Sequence, residues 1–256
     1  RAPTDNDRLA TMIGSYELGD PIATRGVGVP GPASAERWFT AGLHRLQHRV
    51  QQVSVEADGL RVVERVAPAA HFAAVIVSYH WRWDEQGLRL AVDAGPTGAW
   101  GITWGRAGVR FTLPGAYSEA SWFGTGPTEN YPDSRTAARV GRYASSVDAL
   151  AAGYARPQET GHRADLRSLL VTGEGQPGFT VVCEGETRPG FTLTRHTAQQ
   201  LSGAAHPHEL PASESTFLYL DAAQHGLGSR SCGPDVRPEY ALWPRAVQFT
   251  VRLAAG

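Results

Sequence analysis

The strongest constraint on the fold is a period of two in the placement of apolar residues. Near the C-terminus, Phe249, Val251 and Leu253 alternate with polar residues. Such alternation puts apolar side chains on one face of a strand and polar side chains on the other. The same pattern predicts strands over 46–56, 60–67, 74–83, 88–93, 99–104, 108–113, 118–123, 165–172, 178–184, 190–196, 217–221 and 247–253.

Turn residues separate these segments, and helix is scarce. Only 34–43 and 197–203 have helical character, while 11–36 and 132–163 are long irregular stretches. Many short strands joined by Gly and Pro turns favour an antiparallel sandwich, and no strand–helix–strand repeat is visible. We therefore predict an all-β fold, one large antiparallel β-sandwich domain over residues 1–256. The irregular stretch 132–163 has a length that is more often functional or interfacial than idle.

Charge and composition exclude several classes of protein. The net charge of −1 and the pI near 6.8 offer no basic footprint for nucleic acid. No apolar run approaches the roughly 20 residues that span a bilayer, and no signal peptide is visible. The two cysteines, Cys183 and Cys232, are too few for a disulfide framework, and the histidines lack zinc-site spacing. We expect a cytoplasmic protein with no membrane partner, and with no metal site or cofactor in this chain.

Several motifs then occur in a fixed order along the chain. They are RAPTDND at Arg1–Asp7, WFGTGPTENYPD at Trp122–Asp133, ARVGRY at Ala138–Tyr143, RPQETG at Arg156–Gly161, GLG at Gly226–Gly228 and PEY at Pro238–Tyr240. Together they resemble the C-terminal (small-chain, domain 5) region of bacterial glycoside hydrolase family 2 β-galactosidases. The resemblance implies a supersandwich similar to galactose mutarotases, within a large enzyme whose catalytic glutamates lie in a (β/α)₈ barrel. Because Arg1 is not a Met, we expect an excised fragment or a processed chain.

The residues themselves indicate that this chain holds no complete catalytic site. A glycosidase needs two carboxyl groups roughly 5 Å apart if it retains configuration. In the family the acid/base follows an asparagine, but Asn6 and Asn130 here precede Asp7 and Tyr131. A barrel also needs repeated strand–helix units, which are missing. We therefore predict no catalytic residue in this chain.

The resemblance implies an accessory role for the chain within a β-galactosidase. The domain would pack against the catalytic barrel, form one wall of the site for a terminal β-galactoside and help assembly of a homo-oligomer. Two other functions stay open. One is a free-standing aldose 1-epimerase, which needs a general base and a general acid, nominally Glu159 or Glu129 with His162 or His225. The other is a sugar-binding module without chemistry.

Seven residues are candidates for contact with the sugar: Glu129, Asn130, Glu159, His162, Arg167, His225 and Cys232. The first two lie in a Pro-bounded turn, where such side chains also satisfy backbone groups. The next three could line a concave face, or could form ion pairs that fix the long loop to a sheet.

The last two candidates lie in or beside the Gly-rich loop 226–233. In family members this loop reaches the active site and presents a tryptophan to the sugar. Cys232 stands near that place and provides no flat apolar face, so the resemblance implies a changed contact. The tryptophan pairs Trp81/Trp83 and Trp100/Trp104 share strand faces by spacing, and we expect them in the core.

Overall fold

A computed structural model describes residues 34–69, 72–228 and 236–256. The motif Arg1–Asp7, the start of the stretch 11–36, and Cys232 lie outside these residues. The helices are α1 (Ser34–Thr40), α2 (Val147–Leu150) and α3 (Ala198–Gly203), with 3₁₀ turns at Leu43–Arg45, Pro207–Glu209 and Pro238–Tyr240. The strands are β1 (Leu46–Glu56), β2 (Gly59–Pro68), β3 (Ala74–Asp84), β4 (Gly87–Thr97), β5 (Arg106–Pro114), β6 (Tyr117–Gly126), β7 (Arg139–Ser146), β8 (Ser168–Gly173), β9 (Gln176–Glu184), β10 (Gly190–Thr194), β11 (Ser215–Gln224) and β12 (Val247–Ala255).

The described strands form two antiparallel sheets. One has nine strands in the order β1-β2-β3-β4-β12-β9-β8-β6-β7, and the other has three in the order β10-β11-β5. Every strand pairing is antiparallel. The all-β sandwich predicted from the alternation is therefore confirmed. No helix in the described part of the chain is long and apolar enough to cross a membrane.

The core lies between the two sheets and follows the predicted alternation. Phe249 and Val251 of β12 are buried, and Val251 lies opposite Leu90 of β4. Across the sandwich, Trp122 of β6 meets Phe191 of β10 edge to face, with ring centroids 5.6 Å apart. Each such side chain contributes about 1.5–3 kcal/mol by leaving water. Burial of one face of each sheet holds the two layers together.

Two segments differ from the prediction. The segment 99–104 is not a strand, because Gly98 at φ 75° turns the chain out of β4 and the Trp104 amide donates to the Leu242 carbonyl instead. Trp100 and Trp104 pack edge to face and do not share a strand face. Conversely, the irregular stretch 132–163 contains the edge strand β7.

The remaining aromatic and helical predictions are met in part. Trp81 packs against the core, whereas Trp83 is 64% exposed at the end of β3, so its expected core position is wrong. The first helix ends at Thr40, before Gly42 adopts a left-handed φ of 77°. Around α3, Thr197 and Gln200 form a capping box, which explains why so short a helix forms.

Candidate functional site

A buried polar network joins the start of β5 and the end of β11 to the loop between β7 and β8. We define this network as the side chains of Arg106, Tyr131, Glu159, His162, Asp221 and Gln224. All except Arg106 are less than a tenth exposed, and the Arg106 side chain is 12% exposed. Polar groups at this depth persist only when they are paired, so their partners decide what they can do.

Arg106 is the positive centre of the network. Its Nε donates to Asp221 Oδ1 at 3.0 Å and a terminal nitrogen donates to Asp221 Oδ2, which makes the pair bidentate. A second terminal nitrogen lies 3.5 Å from Glu159 Oε2, and the guanidinium carbon lies 4.2 Å from the centre of the Tyr219 ring. Burial opposes the charged form, but the two carboxylates outweigh it and raise the pKa of Arg106. The arginine therefore stays charged and holds both carboxylates.

Tyr131, in the connection between β6 and β7, contacts both Glu159 and His162. Its hydroxyl lies 3.4 Å from Glu159 Oε1, and its ring is tilted against the ring of His162 at 5.5 Å. Burial, and then the charge of Glu159, raise the pKa of Tyr131 well above its ordinary value. The phenol is thus a hydrogen-bond donor that fixes the carboxylate.

His162 is neutral in this environment. Its Nδ1 lies 3.3 Å from both Thr192 Oγ1 and the side-chain nitrogen of Gln224. Because that amide nitrogen can only donate, Nδ1 accepts and the ring proton is placed on Nε2. Burial, reinforced by the charge of Arg106, lowers the pKa of His162 to about 3. A histidine held neutral in this way is a poor proton donor near pH 7.

The turn after β6 fastens the neighbouring loop. Glu129 accepts hydrogen bonds from the Thr160 hydroxyl at 2.9 Å and the Gly161 amide at 2.6 Å. Asn130 Oδ1 accepts from the Thr125 hydroxyl at 2.9 Å and the Ala164 amide at 3.0 Å. Three of these four donors, Thr160, Gly161 and Ala164, lie in the loop that joins β7 to β8, and the fourth, Thr125, lies on β6. This explains how a long connection without regular structure is held on the sheet.

The base of the Gly-rich loop is fixed by Asp133. Its two carboxylate oxygens accept from the Leu227 amide at 3.0 Å and the Gly228 amide at 2.7 Å. Gly226 is needed beside it, because a Cβ there would lie 2.7 Å from the carboxylate. Just before it, His225 is 1% exposed and its ring meets Trp38 edge to face at 5.1 Å.

The structure brings together only part of the predicted set. Glu159 and His162 share the buried polar network. The backbone amide of Asn130 donates to the backbone carbonyl of His162 at 2.8 Å. Arg167 instead contacts Asp165 at 3.1 Å and lies over the Phe123 ring at 5.1 Å. Cys232 lies outside the described residues. Sugar contact by these seven residues stays a prediction.

The seven candidates left out four members of the network, namely Arg106, Tyr131, Asp221 and Gln224. Asp221 carried a usable signal, because it continues the alternation of Phe217 and Tyr219 and so places a charge on a patterned strand face. A charge at such a position requires a buried partner.

Within the described residues, one group of side chains has the atom types and spacing that could hold a metal ion. Glu56, Asp58 and His80 converge at the turn between β1 and β2. The carboxylates, however, already accept from Arg61 and Arg82 at 2.7 Å each. These side chains therefore form a network of ion pairs.

Comparison with known proteins identifies the family of the whole arrangement. Residues 1–253 match the family model of the β-galactosidase small chain. A β-galactosidase of Arthrobacter sp. (strain B7) is 46% identical over 259 residues, which cover all of this chain and 25% of that protein. A β-galactosidase of Vibrio cholerae is 35% identical over 85% of this chain and 21% of its own length.

Solved structures resemble the chain more distantly. A galactose mutarotase-like protein from Lactobacillus casei ATCC 334 has a TM-score of 0.37 and 10% identity, over 80% of this chain and 72% of that chain. A galactose mutarotase related enzyme from Lactobacillus acidophilus has a TM-score of 0.40 and 7% identity, over 82% and 71%. The chain spans about a quarter of the length of the curated relatives it matches. By the match over residues 1–253, it belongs to the β-galactosidase small-chain family.

Proposed function

We propose that this chain is the accessory C-terminal domain of a cytoplasmic β-galactosidase that hydrolyses terminal β-galactosides. The observation that carries the proposal is the family match over 253 residues, in a chain that covers only 25% of its Arthrobacter relative. The catalytic barrel is assigned to another part of the same protein. The domain contributes to a homo-oligomer of the full enzyme.

The electrostatics of the buried polar network support an accessory role. Glu159 and Asp221 are each 3% exposed, and both pair with Arg106. Burial lowers the pKa of the neighbouring His162 to about 3, so its ring is neutral near pH 7. An acid–base pair must reach a substrate and exchange protons with it. These groups are paired and enclosed, so they argue for a structural network and against an epimerase site.

The proposed wall of the sugar site is the edge that carries the Gly-rich loop. Asp133 accepts hydrogen bonds from the backbone amides of Leu227 and Gly228 in the Gly-rich loop. Glu129 accepts from Thr160 and Gly161 in the loop that joins β7 to β8. Carboxylates that accept amide hydrogen bonds give charge-assisted contacts of about 1.5–3 kcal/mol each. A wall fastened in this way presents a defined surface to the sugar.

Two assays test this proposal. The intact gene product should hydrolyse a chromogenic β-galactoside, and the purified 256-residue chain should not. The chain should also leave the mutarotation of freshly dissolved α-galactose at its spontaneous rate, as followed by optical rotation. Hydrolysis by the purified chain that a point substitution within it abolishes would contradict the proposal. Accelerated mutarotation that disappears in Glu159→Gln would assign the network to the epimerase instead.

A further inference from the structure

A groove of about 680 Å³ lies between the two sheets beside β5. It exists because a nine-stranded sheet faces a sheet of only three described strands. Its floor is an apolar face of the wider sheet, formed by side chains of β2, β3, β4 and β12 such as Val77, Tyr79, Leu90 and Phe249. Val75, Tyr79 and Trp81 are only partly buried there, and the apolar surface that they leave open to water costs free energy.

The side wall of the groove is the edge of β5. Six consecutive residues, Arg106 to Phe111, line it. Consecutive side chains of a strand point to opposite faces, so a groove above one face would be lined by alternate residues only. The groove therefore runs along the hydrogen-bonding edge of β5. Among the described strands, β5 pairs with β11 alone.

The register shows which backbone groups face the groove. The Gly115 amide donates to the Glu214 carbonyl at 2.8 Å, and Thr112 lies opposite Phe217. Hydrogen-bonded pairs alternate along an antiparallel ladder, so every second residue of β5 bonds to β11. The amides and carbonyls of Arg110 and Thr112 then point away from β11, at the free edge of β5; Arg110 lines the groove, and Thr112 follows the last lining residue, Phe111.

We propose that this groove holds an extra β-strand, which pairs with the free edge of β5 and lays alternate apolar side chains on the floor. Neighbouring strands lie about 4.8 Å apart and facing sheets about 10 Å apart, which is the space a further strand of the small sheet requires. Addition of a strand to an exposed edge satisfies the backbone groups and buries the apolar face together.

We assign the strand to the part of the β-galactosidase that lies outside this chain, so the inference rests on the proposed function. Pairing along β5 requires about nine residues of alternating apolar and polar character. No run of nine residues in 1–33 has that pattern, since Gly and Pro recur throughout and the one long run free of them, 4–13, begins with five polar residues. The relatives are about four times as long as the matched segment, which leaves ample chain to supply it.

Hydrogen exchange in the intact gene product tests the pairing. At single-residue resolution, the amides of Arg110 and Thr112 should exchange at least a hundredfold more slowly than in an unpaired strand. The amides of Phe111 and Leu113, which face β11, are the internal control and should be slow in either case. The protection of these amides from exchange should be unchanged when the protein is diluted a hundredfold, because a strand of the same chain does not dissociate. Fast exchange at Arg110 and Thr112, or protection lost on dilution, would overturn the proposal.

A crosslinking experiment identifies the occupant. A benzophenone amino acid at the exposed position Thr112, in the intact gene product, should attach to a peptide outside residues 1–256. Attachment to residues 1–33, or to a second copy of the chain, would refute the assignment. Thr112→Pro should inactivate about tenfold faster on heating than the control Thr112→Ala, which keeps the amide. Hydrolysis of a β-galactoside is scored separately, so loss of the proposed function and loss of the strand are distinguishable.

Discussion

Removal of the positive charge from the buried polar network should be the most destabilising single change in the described part of the small sheet. Arg106→Met keeps the apolar stem of the side chain but removes the guanidinium that pairs with the buried Asp221 and Glu159. Both carboxylates are 3% exposed. Loss of one partner of a buried pair costs about 3–5 kcal/mol, because the other charge stays desolvated. The lost contact with the Tyr219 ring adds up to about 1 kcal/mol. We expect a loss of about 4 kcal/mol in the free energy of unfolding.

The assay is urea unfolding of the purified chain, followed by fluorescence of its seven tryptophans. Arg106→Lys is the matched control, since it keeps the charge but loses the bidentate geometry, and it should cost less. The triple variant Arg106→Met, Glu159→Gln and Asp221→Asn removes the charges together. It should regain at least half of the lost stability, because neutral amides are much less costly to bury than unpaired carboxylates.

Two results would refute this reasoning. A loss below about 1 kcal/mol in Arg106→Met would place the carboxylates in contact with water, as for an exposed pair. A triple variant as unstable as the single one would show that packing of the arginine, and not its charge, stabilises the network.

Two further predictions concern the same region. The pKa of His162 in the folded chain, about 3, lies below its ordinary value of 6.5. Its contribution to the free energy of unfolding is therefore complete above pH 6.5 and is lost as the pH falls toward 3, because the unfolded chain binds the proton first. The free energy of unfolding should drop by about 2 kcal/mol between pH 6.5 and 5 from this group, and His162→Gln should flatten that slope in urea titrations; an unchanged slope would contradict it. Asp133→Ala should speed hydrogen exchange of the Leu227 and Gly228 amides at least tenfold, with Asp133→Asn intermediate, and equal rates in all three proteins would show that the carboxylate does not fix the loop.

The fold could be predicted wherever a strand has one buried face. β12 shows the period of two without interruption, and its centre pairs on both sides, with β4 and with β9. The edge strand β7 escaped prediction because residues such as Arg139, Gly141 and Arg142 give no alternation, and its pairing comes from β6 alone. The aromatic segment 99–104 misled in the opposite direction. A pattern of side chains predicts a strand only if a neighbouring strand can pair with it. In 99–104 the backbone amide of Trp104 donates to the Leu242 carbonyl, outside any strand.

The buried polar network could not be predicted from local patterns, and the reason is topological. Arg106 and Asp221 are 115 residues apart in sequence, and they meet because β5 and β11 pair with a bulge between Asp221 and Ala223. The charge of Asp221 on an otherwise aromatic strand face required a buried cation, but any of 24 basic residues could have supplied it. Glu159 and His162, which were predicted from the loop, are two of the six members of a network whose central pair depends on that bulge. A sequence can therefore indicate that a buried charge needs a partner, while only the register of two distant strands decides which partner it receives.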